Sequence, residues 1–161
     1  MHLARSTQST LVATALLTAT HAQASPVIFG TYYDETPPPV LTTCQSTYVC
    51  SLYFSQLPSD KLLMVTKLIC GFVSQGRVLE AQLFVAQGSG ASGTLPRHLV
   101  LPIPAAPVAS PSNGYFYTTV EMAPQWLVGQ GRFPYIQLFT TAIGSITMDC
   151  TIRGELVDPL Q

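Results

Sequence analysis

Beyond Ser25, apolar and polar residues alternate in several short stretches of the chain. A period of two puts every second side chain on the same face of a β-strand, so this alternation predicts strands with one buried face. The clearest stretch lies near the C-terminus, where one face would carry Ile146, Met148, Cys150, Ile152 and Leu156. Three further inward faces follow in the same way: Tyr48, Cys50, Leu52 and Phe54; Leu79, Ala81, Leu83 and Val85; Phe116, Thr118, Val120 and Met122.

The segment 62–73 differs, because residues of both parities are apolar. This pattern is typical of a strand that is covered on both faces, and it predicts a central position in the sheet. The sequence Ser74-Gln75-Gly76 follows and supplies a glycine for a tight turn. Residues 62–85 are therefore predicted to form a β-hairpin in which the strand starting at Val78 is the antiparallel partner.

Three segments rich in proline or glycine separate these strands, at residues 34–39, 88–96 and 102–114. Because proline cannot donate to a sheet ladder, we expect loops or sheet edges there. In the first segment, Asp34 and Glu35 are predicted to be solvated residues ahead of the first full strand. Many short strands without a helical pattern predict an all-β fold, namely a single antiparallel β-sandwich of jelly-roll-like type stapled by disulfides.

The N-terminal residues have the layout of a secretory signal peptide. Arg5 is followed by an apolar stretch at 11–19, and Ala22-Gln23-Ala24 forms a small-residue cleavage site before Ser25. The prediction is therefore a signal peptide at 1–24 and a β-sandwich domain at 25–161. The mature chain would be soluble, secreted or periplasmic, and would keep no integral membrane segment, since the apolar stretch is shorter than the ~20 residues of a spanning helix.

The chain is unusually poor in charge, with 9% charged residues and a formal net charge of −1. Its lysines and arginines are scattered along the sequence. Binding to nucleic acid requires clustered basic residues that displace counterions from the phosphates, so this class of partner is excluded. A neutral polar surface suits a neutral partner, which we expect to be a glycan or a protein.

Four cysteines follow the predicted cleavage site: Cys44, Cys50, Cys70 and Cys150. An even number in an exported chain indicates disulfides. The favoured pairing joins Cys44 to Cys50 across a short turn and Cys70 to Cys150 across the core, although sequence alone leaves the two other pairings open. Spacings typical of a zinc site or of a dithiol enzyme are missing, so we predict no metal and no cofactor.

The sequence contains no motif that indicates catalysis, so we predict that the chain is not an enzyme. His98 is the one histidine after the cleavage site. No Gly-x-Ser-x-Gly elbow accompanies it, and it is predicted to be a surface or strand-end residue.

Aromatic residues give the best candidates for a binding surface. Tyr115, Tyr117 and Trp126 could stack against a ligand, and the loop at 102–114 lies beside the first two in sequence. The leading hypothesis is thus a non-catalytic binding module. The alternative is a structural subunit of a surface assembly, in which residues 25–39 would be lent to a neighbouring copy as a strand. A hydrolase and a small outer-membrane β-barrel are less favoured hypotheses.

Overall fold

The computed structural model describes residues 25–38, 41–105, 107–110 and 112–159, so the predicted signal peptide at 1–24 lies outside the described residues. This part of the chain is all-β, as predicted, and within it no helix occurs that could cross a membrane. The strands are β1 (Val27–Phe29), β2 (Tyr32–Glu35), β3 (Thr42–Tyr53), β4 (Leu62–Ser74), β5 (Val78–Ala86), β6 (Thr94–Val100), β7 (Val108–Ala109), β8 (Phe116–Met122), β9 (Trp126–Val128) and β10 (Phe133–Val157).

The long strand β10 organises the sheet, because both of its edges are paired. On one edge it pairs with β2 and β3, and on the other with β4 and β5. All strand pairs among the described residues are antiparallel. Beyond β4 lie β8 and β9, and beyond β5 lies β6. The strand β4 is therefore central, which confirms the prediction drawn from its apolar residues of both parities.

The strand β10 folds back on itself, which creates two half-sheets. The first half-sheet contains the end of β3, the start of β10, β5 and β6. The second contains β2, the start of β3, the end of β10, β4, β7, β8 and β9. Glu35 lies opposite Ile152, whereas Phe54 donates its N–H to the carbonyl of Pro134. Pro134 and Ile152 are 18 positions apart, which is roughly 60 Å in a straight strand. The Glu35 carboxylate nevertheless accepts a hydrogen bond of 2.7 Å from the N–H of Ser55.

One hydrophobic core unites the two half-sheets. The first contributes Leu52, Leu83, Ile136 and Leu138, and the second contributes Leu68, Phe72, Met148 and Ile152, all of them fully buried in one cluster. Exposed residues at 141–143, next to irregular register, mark the bend of β10 between the halves. An antiparallel sheet that bends over a shared core is compatible with the predicted sandwich.

The predicted hairpin at 62–85 is wrong. The strands β4 and β5 do not pair with each other; they follow one another along the same edge of β10. The segment between them forms a corner, in which the Ser74 hydroxyl donates to the carbonyl of Gly76 and the Gln75 N–H donates to the carbonyl of Ser145. Gly76 does not adopt a positive φ. Instead a Cβ at this position would lie 2.7 Å from the backbone nitrogen of Ala142, so the glycine permits close approach to β10.

Two residues predicted to point inward point outward. Leu79 is 64% exposed and Tyr48 is 57% exposed. Thr140 pairs with Val78 while Phe139 pairs with Glu80, so Leu79 is the extra residue of a β-bulge and turns to solvent. Tyr48 lies opposite a larger irregularity of β10, between its residues 139 and 144. The other residues of these two predicted faces are buried.

The disulfides have the favoured pairing, Cys44–Cys50 and Cys70–Cys150. Cys70 and Cys150 are direct partners in the register of β4 and β10, and both are buried in the core. The short bridge lies within β3, where the chain turns through a positive φ at Ser46. The long bridge therefore fastens the central strand β4 to β10 in the second half-sheet.

Removing the long bridge should cost more stability than removing the short one, because it closes a much longer loop in the unfolded chain. We expect the double variant Cys70→Ala/Cys150→Ala to lose ~2–5 kcal/mol of unfolding free energy in urea titrations, and Cys44→Ala/Cys50→Ala to lose less. Double variants are used because a single variant leaves an unpaired thiol. An equal or larger loss for the short bridge would contradict this assignment.

Candidate functional site

The aromatic residues nominated from the sequence do not form one surface. Tyr117 lies opposite Val73 on β4, whereas Trp126 lies opposite Val65. These partners are eight residues apart, which is roughly 26 Å along a strand. Tyr117 is exposed on the outer face, and Tyr115 lies two residues before it in the chain. Trp126, in contrast, packs against the core. A ligand role for Tyr115, Tyr117 and Trp126 stays a prediction, and a shared stacking platform is not what the geometry provides.

Trp126 also has a partner within the chain. The guanidinium carbon of Arg97 lies 4.6 Å from the centre of the Trp126 ring. A cation at this distance over an indole is a favourable cation–π contact. The tryptophan thus links β9 to β6, and its ring is already engaged by this arginine.

A different set of rings lines up across the outer face of the first half-sheet. The register places Tyr53 beside Tyr135, Tyr135 beside Phe84, and Phe84 beside His98. Their ring centres are 5.7, 5.3 and 5.4 Å apart, which are distances of aromatic packing. We call these four residues the ring row. Neighbouring positions with the opposite parity, such as Leu52, Leu83 and Ile136, point into the core.

The ends and the centre of the ring row differ in exposure. Tyr135 is buried at its centre, where its hydroxyl lies 2.9 Å from the hydroxyl of Thr94. Tyr53 is 45% exposed at one end. His98 is exposed at the other end, as predicted for a strand-end residue, and its Nδ1 lies 3.4 Å from the carbonyl of Pro96. Of the two tyrosines in the ring row, Tyr53 is therefore the one whose ring is open to solvent and can contact a ligand.

A groove of about 640 Å³ opens at the Tyr53 end of the ring row. Tyr53 and Phe133 supply aromatic surface, and Ser51, Ser89 and other small polar residues supply hydroxyl and backbone groups. One wall comes from the segment that follows β2 and the other from the glycine-rich turn between β5 and β6. Concave sites of this size with mixed apolar and polar walls are typical of ligand-binding sites.

The wall formed by β2 holds a buried carboxylate, that of Glu35. This residue is 2% exposed, although the sequence predicted a solvated position for Asp34 and Glu35. One oxygen accepts the Tyr33 hydroxyl at 2.5 Å, and the other accepts the N–H of Ser55 at 2.7 Å. Asp34 is also engaged, because it accepts a hydrogen bond of 2.8 Å from Arg153. The prediction failed because both residues belong to a strand and have partners distant in sequence.

Tyr33 keeps its proton beside this carboxylate. Burial raises the pKa of the Tyr33 phenol, and the charge and hydrogen bonding of Glu35 raise this pKa further. The phenol therefore stays protonated and donates to Glu35. Both oxygens of Glu35 accept hydrogen bonds within the chain and the residue is buried, so a ligand in the groove has no direct access to this carboxylate.

The described residues show no cluster of side chains suited to binding a metal ion. Among the residues that the model describes, no group of three His, Cys, Asp or Glu side chains is arranged to hold a metal ion. All four cysteines are bridged.

Comparison with protein-family models, with curated proteins and with solved structures finds no significant match to this chain. The class of site is therefore defined by its geometry alone. That geometry is a partly aromatic groove at the edge of an antiparallel half-sheet, with one buried carboxylate in its wall.

Sequence reasoning missed the ring row and the groove, although part of the signal was present. Phe84 has the same parity as Glu80 and Gln82, so an aromatic residue stood on a face predicted to be polar. Tyr53 and Tyr135 likewise have the parity opposite to that of their inward neighbours. Their assembly into one row depends on the pairing of four strands that are distant in sequence, which alternation does not reveal.

The Glu35 carboxylate should contribute substantially to stability, because it satisfies two donors across the two half-sheets. Glu35→Ala leaves the buried Tyr33 hydroxyl and the partly buried Ser55 N–H without an acceptor, and we expect a loss of about 2–4 kcal/mol in urea unfolding. Glu35→Gln should lose less, since its amide oxygen still accepts from Ser55.

Glu121→Ala is the matched control for this measurement. Glu121 is an exposed glutamate that forms a 2.7 Å ion pair with Lys67 on the surface. Exposed pairs contribute less than about 1 kcal/mol. If Glu35→Ala costs no more than Glu121→Ala, the structural role assigned to Glu35 is wrong.

Proposed function

We propose that this chain is an exported, non-catalytic binding module whose contact surface is the groove beside Tyr53. The observation that carries the proposal is the groove itself, with aromatic surface from Tyr53 and Phe133 next to small polar groups. Such a combination supplies apolar contact area together with oriented hydrogen bonding. Tyr53 is well suited to this role, because tyrosine brings a large rigid surface at a small cost in conformational entropy.

Two features of the chain support export. Both disulfides join residues that follow the predicted signal peptide, and disulfides persist mainly in oxidising compartments. The N-terminal sequence has the layout of a cleavable signal. We therefore propose a secreted or periplasmic location for the mature domain.

The chemistry of the groove favours a neutral partner. Glu35 is the one charged residue that lines it, and both of its carboxylate oxygens already accept hydrogen bonds within the chain. An anionic ligand group would lose its hydration there without gaining a counter-charge. A cationic group would have no direct access to Glu35, which is only 2% exposed. The partner is accordingly a glycan or a protein segment without charge at the contact.

The second candidate function is that of a structural subunit in a surface assembly. It is favoured by β1, an edge strand in which Val27, Ile28 and Phe29 are all exposed. Exposed apolar edge strands are surfaces on which another chain can pair. The donor segment would be shorter than 25–39, since β2 already pairs with β10 of its own chain. Light scattering over a wide concentration range, with and without residues 25–29, tests this function.

Binding through the groove predicts that Tyr53→Ala weakens capture of a neutral ligand at least tenfold, since loss of a stacked aromatic anchor typically exceeds 1.4 kcal/mol. The measurement is calorimetric titration with two neutral probe sets, maltohexaose and cellohexaose as glycans and uncharged hexapeptides as protein segments. Tyr48→Ala is the matched control, because Tyr48 is an exposed tyrosine on the same strand that does not line the groove.

Three results would contradict this proposal. Weakening by Tyr117→Ala together with unchanged binding by Tyr53→Ala would move the contact surface to β8. Hydrolysis of a bound probe that is lost in His98→Ala would show that the chain is a catalyst. Absence of binding by every probe would also count against the module.

A further inference from the structure

The backbone of β3 has a free edge beside the groove. The Phe54 N–H donates to the carbonyl of Pro134. In an antiparallel pair, residues that bond to the partner strand alternate with residues that do not. Leu52 and Cys50 lie two and four residues before Phe54, so their backbone groups also bond to β10. Ser51 and Tyr53 direct their N–H and C=O groups away from β10, and no other described strand pairs with β3.

Side chains cap this edge on either side of Ser51 and Tyr53. The Val49 N–H donates to the hydroxyl oxygen of Thr47 at 3.1 Å, and that hydroxyl donates back to the Val49 carbonyl at 3.0 Å. At the other end, the Ser55 N–H donates to Glu35. Between these caps, the outward backbone groups of Ser51 and Tyr53 have no hydrogen-bond partner among the described residues.

This open window of two outward-facing residues lies inside the groove. Ser51 and Tyr53 both line it, and Phe133 lies next to them. The two residues present a donor and an acceptor each, with a repeat of roughly 6.8 Å along the strand. This is the repeat of another β-strand, and strands add to open edges through such groups. A glycan has no backbone with this alternation of N–H and C=O.

We infer that the window at Ser51 and Tyr53 accepts an extended, uncharged peptide segment as an added antiparallel strand. The inference rests on the proposed function, because it names the partner class for the same groove. The added strand forms up to four backbone hydrogen bonds with the window. Its residues opposite Ser51 and Tyr53 place their side chains on the same face as the Tyr53 ring, where an apolar side chain fits best.

The caps limit where a strand can add. Thr47 and Glu35 satisfy the outward groups of Val49 and Ser55, so pairing cannot extend along the whole of β3 without breaking those bonds. A full open edge would promote aggregation between copies of the chain. The caps therefore confine pairing beside the groove to a window of two outward-facing residues.

The test uses the disulfide-bonded chain and the neutral probe acetyl-Thr-Val-Thr-Val-Thr-Val-amide. The valines should lie opposite the window, because their side chains then contact Tyr53. N-methylation of the three valines should abolish binding, whereas N-methylation of the three threonines should be tolerated, since only the valine amides face β3.

The protein variants follow the same logic. Ser51→Pro removes one outward N–H without removing a bond to β10, and proline is tolerated where its nitrogen faces outward from an edge strand. We expect Ser51→Pro to bind the probe at least tenfold more weakly. Ser51→Ala is the reference variant, because it loses the same hydroxyl but keeps the N–H. Ser51→Pro should therefore bind at least tenfold more weakly than Ser51→Ala.

Amide hydrogen exchange gives a readout that needs no variant. Saturating probe should slow exchange of the Tyr53 and Ser51 amides at least tenfold. The His98 amide is the internal control. The His98 N–H lies at the opposite edge of the half-sheet and points away from β5. The Leu101 N–H donates to Ala81, so odd-numbered residues there bond to β5 and even-numbered residues such as His98 do not. Its exchange should not change.

Each outcome separates this inference from the proposed function. If Tyr53→Ala weakens binding but Ser51→Pro and valine N-methylation do not, the groove binds ligands and strand addition is wrong. Binding of maltohexaose or cellohexaose without binding of the peptide would make the partner a glycan. Unchanged exchange at Ser51 and Tyr53 under saturating peptide would overturn the inference even if Ser51→Pro fails to fold.

Discussion

The pairing of both edges of β10 is the constraint on which the rest of the structure depends. One edge carries β2 and β3, and the other carries β4 and β5. Because β10 folds back, strands that follow one another along its edges come to lie in opposite half-sheets. The same bend brings Glu35 to Ser55 and so creates the wall of the groove. The core, the hydrogen bond between Glu35 and Ser55 and the candidate site thus all depend on the path of one strand.

Alternation predicted inward faces well wherever the ladder is regular. It identified the buried residues from Ile146 to Leu156, among them Cys150, which the core disulfide joins to Cys70. It failed at Leu79, because this residue is the extra one of a bulge, so the alternation that holds from Ala81 onward does not extend back to it. The hairpin prediction failed for another reason: the corner at Gly76 and a hairpin turn share the same residue types, and only the position of β10 decides between them.

The candidate site was less accessible to sequence reasoning than the fold. Trp126 drew attention as the one tryptophan, yet its ring packs inward under Arg97. Tyr53 is one residue in a polar strand. The binding role proposed for it rests on Tyr135 beside it and on backbone groups at its edge that no other described strand pairs. Register across four strands and the unpaired side of β3 are properties of the assembled sheet, so no local pattern contains them.

The position of β10 in the chain has a consequence for how the molecule folds. Every other described strand precedes β10 in the sequence. During synthesis, strand pairs such as β5–β6 and β4–β8 can form early. The edges of β2 and β3 that pair with β10 stay unpaired until β10 has been synthesised. Pairing at such long separation in sequence is slow, because the entropy of closing long loops is lost before contacts compensate it. The shared core therefore cannot close until β10 is available, which delays its formation relative to that of the local strand pairs.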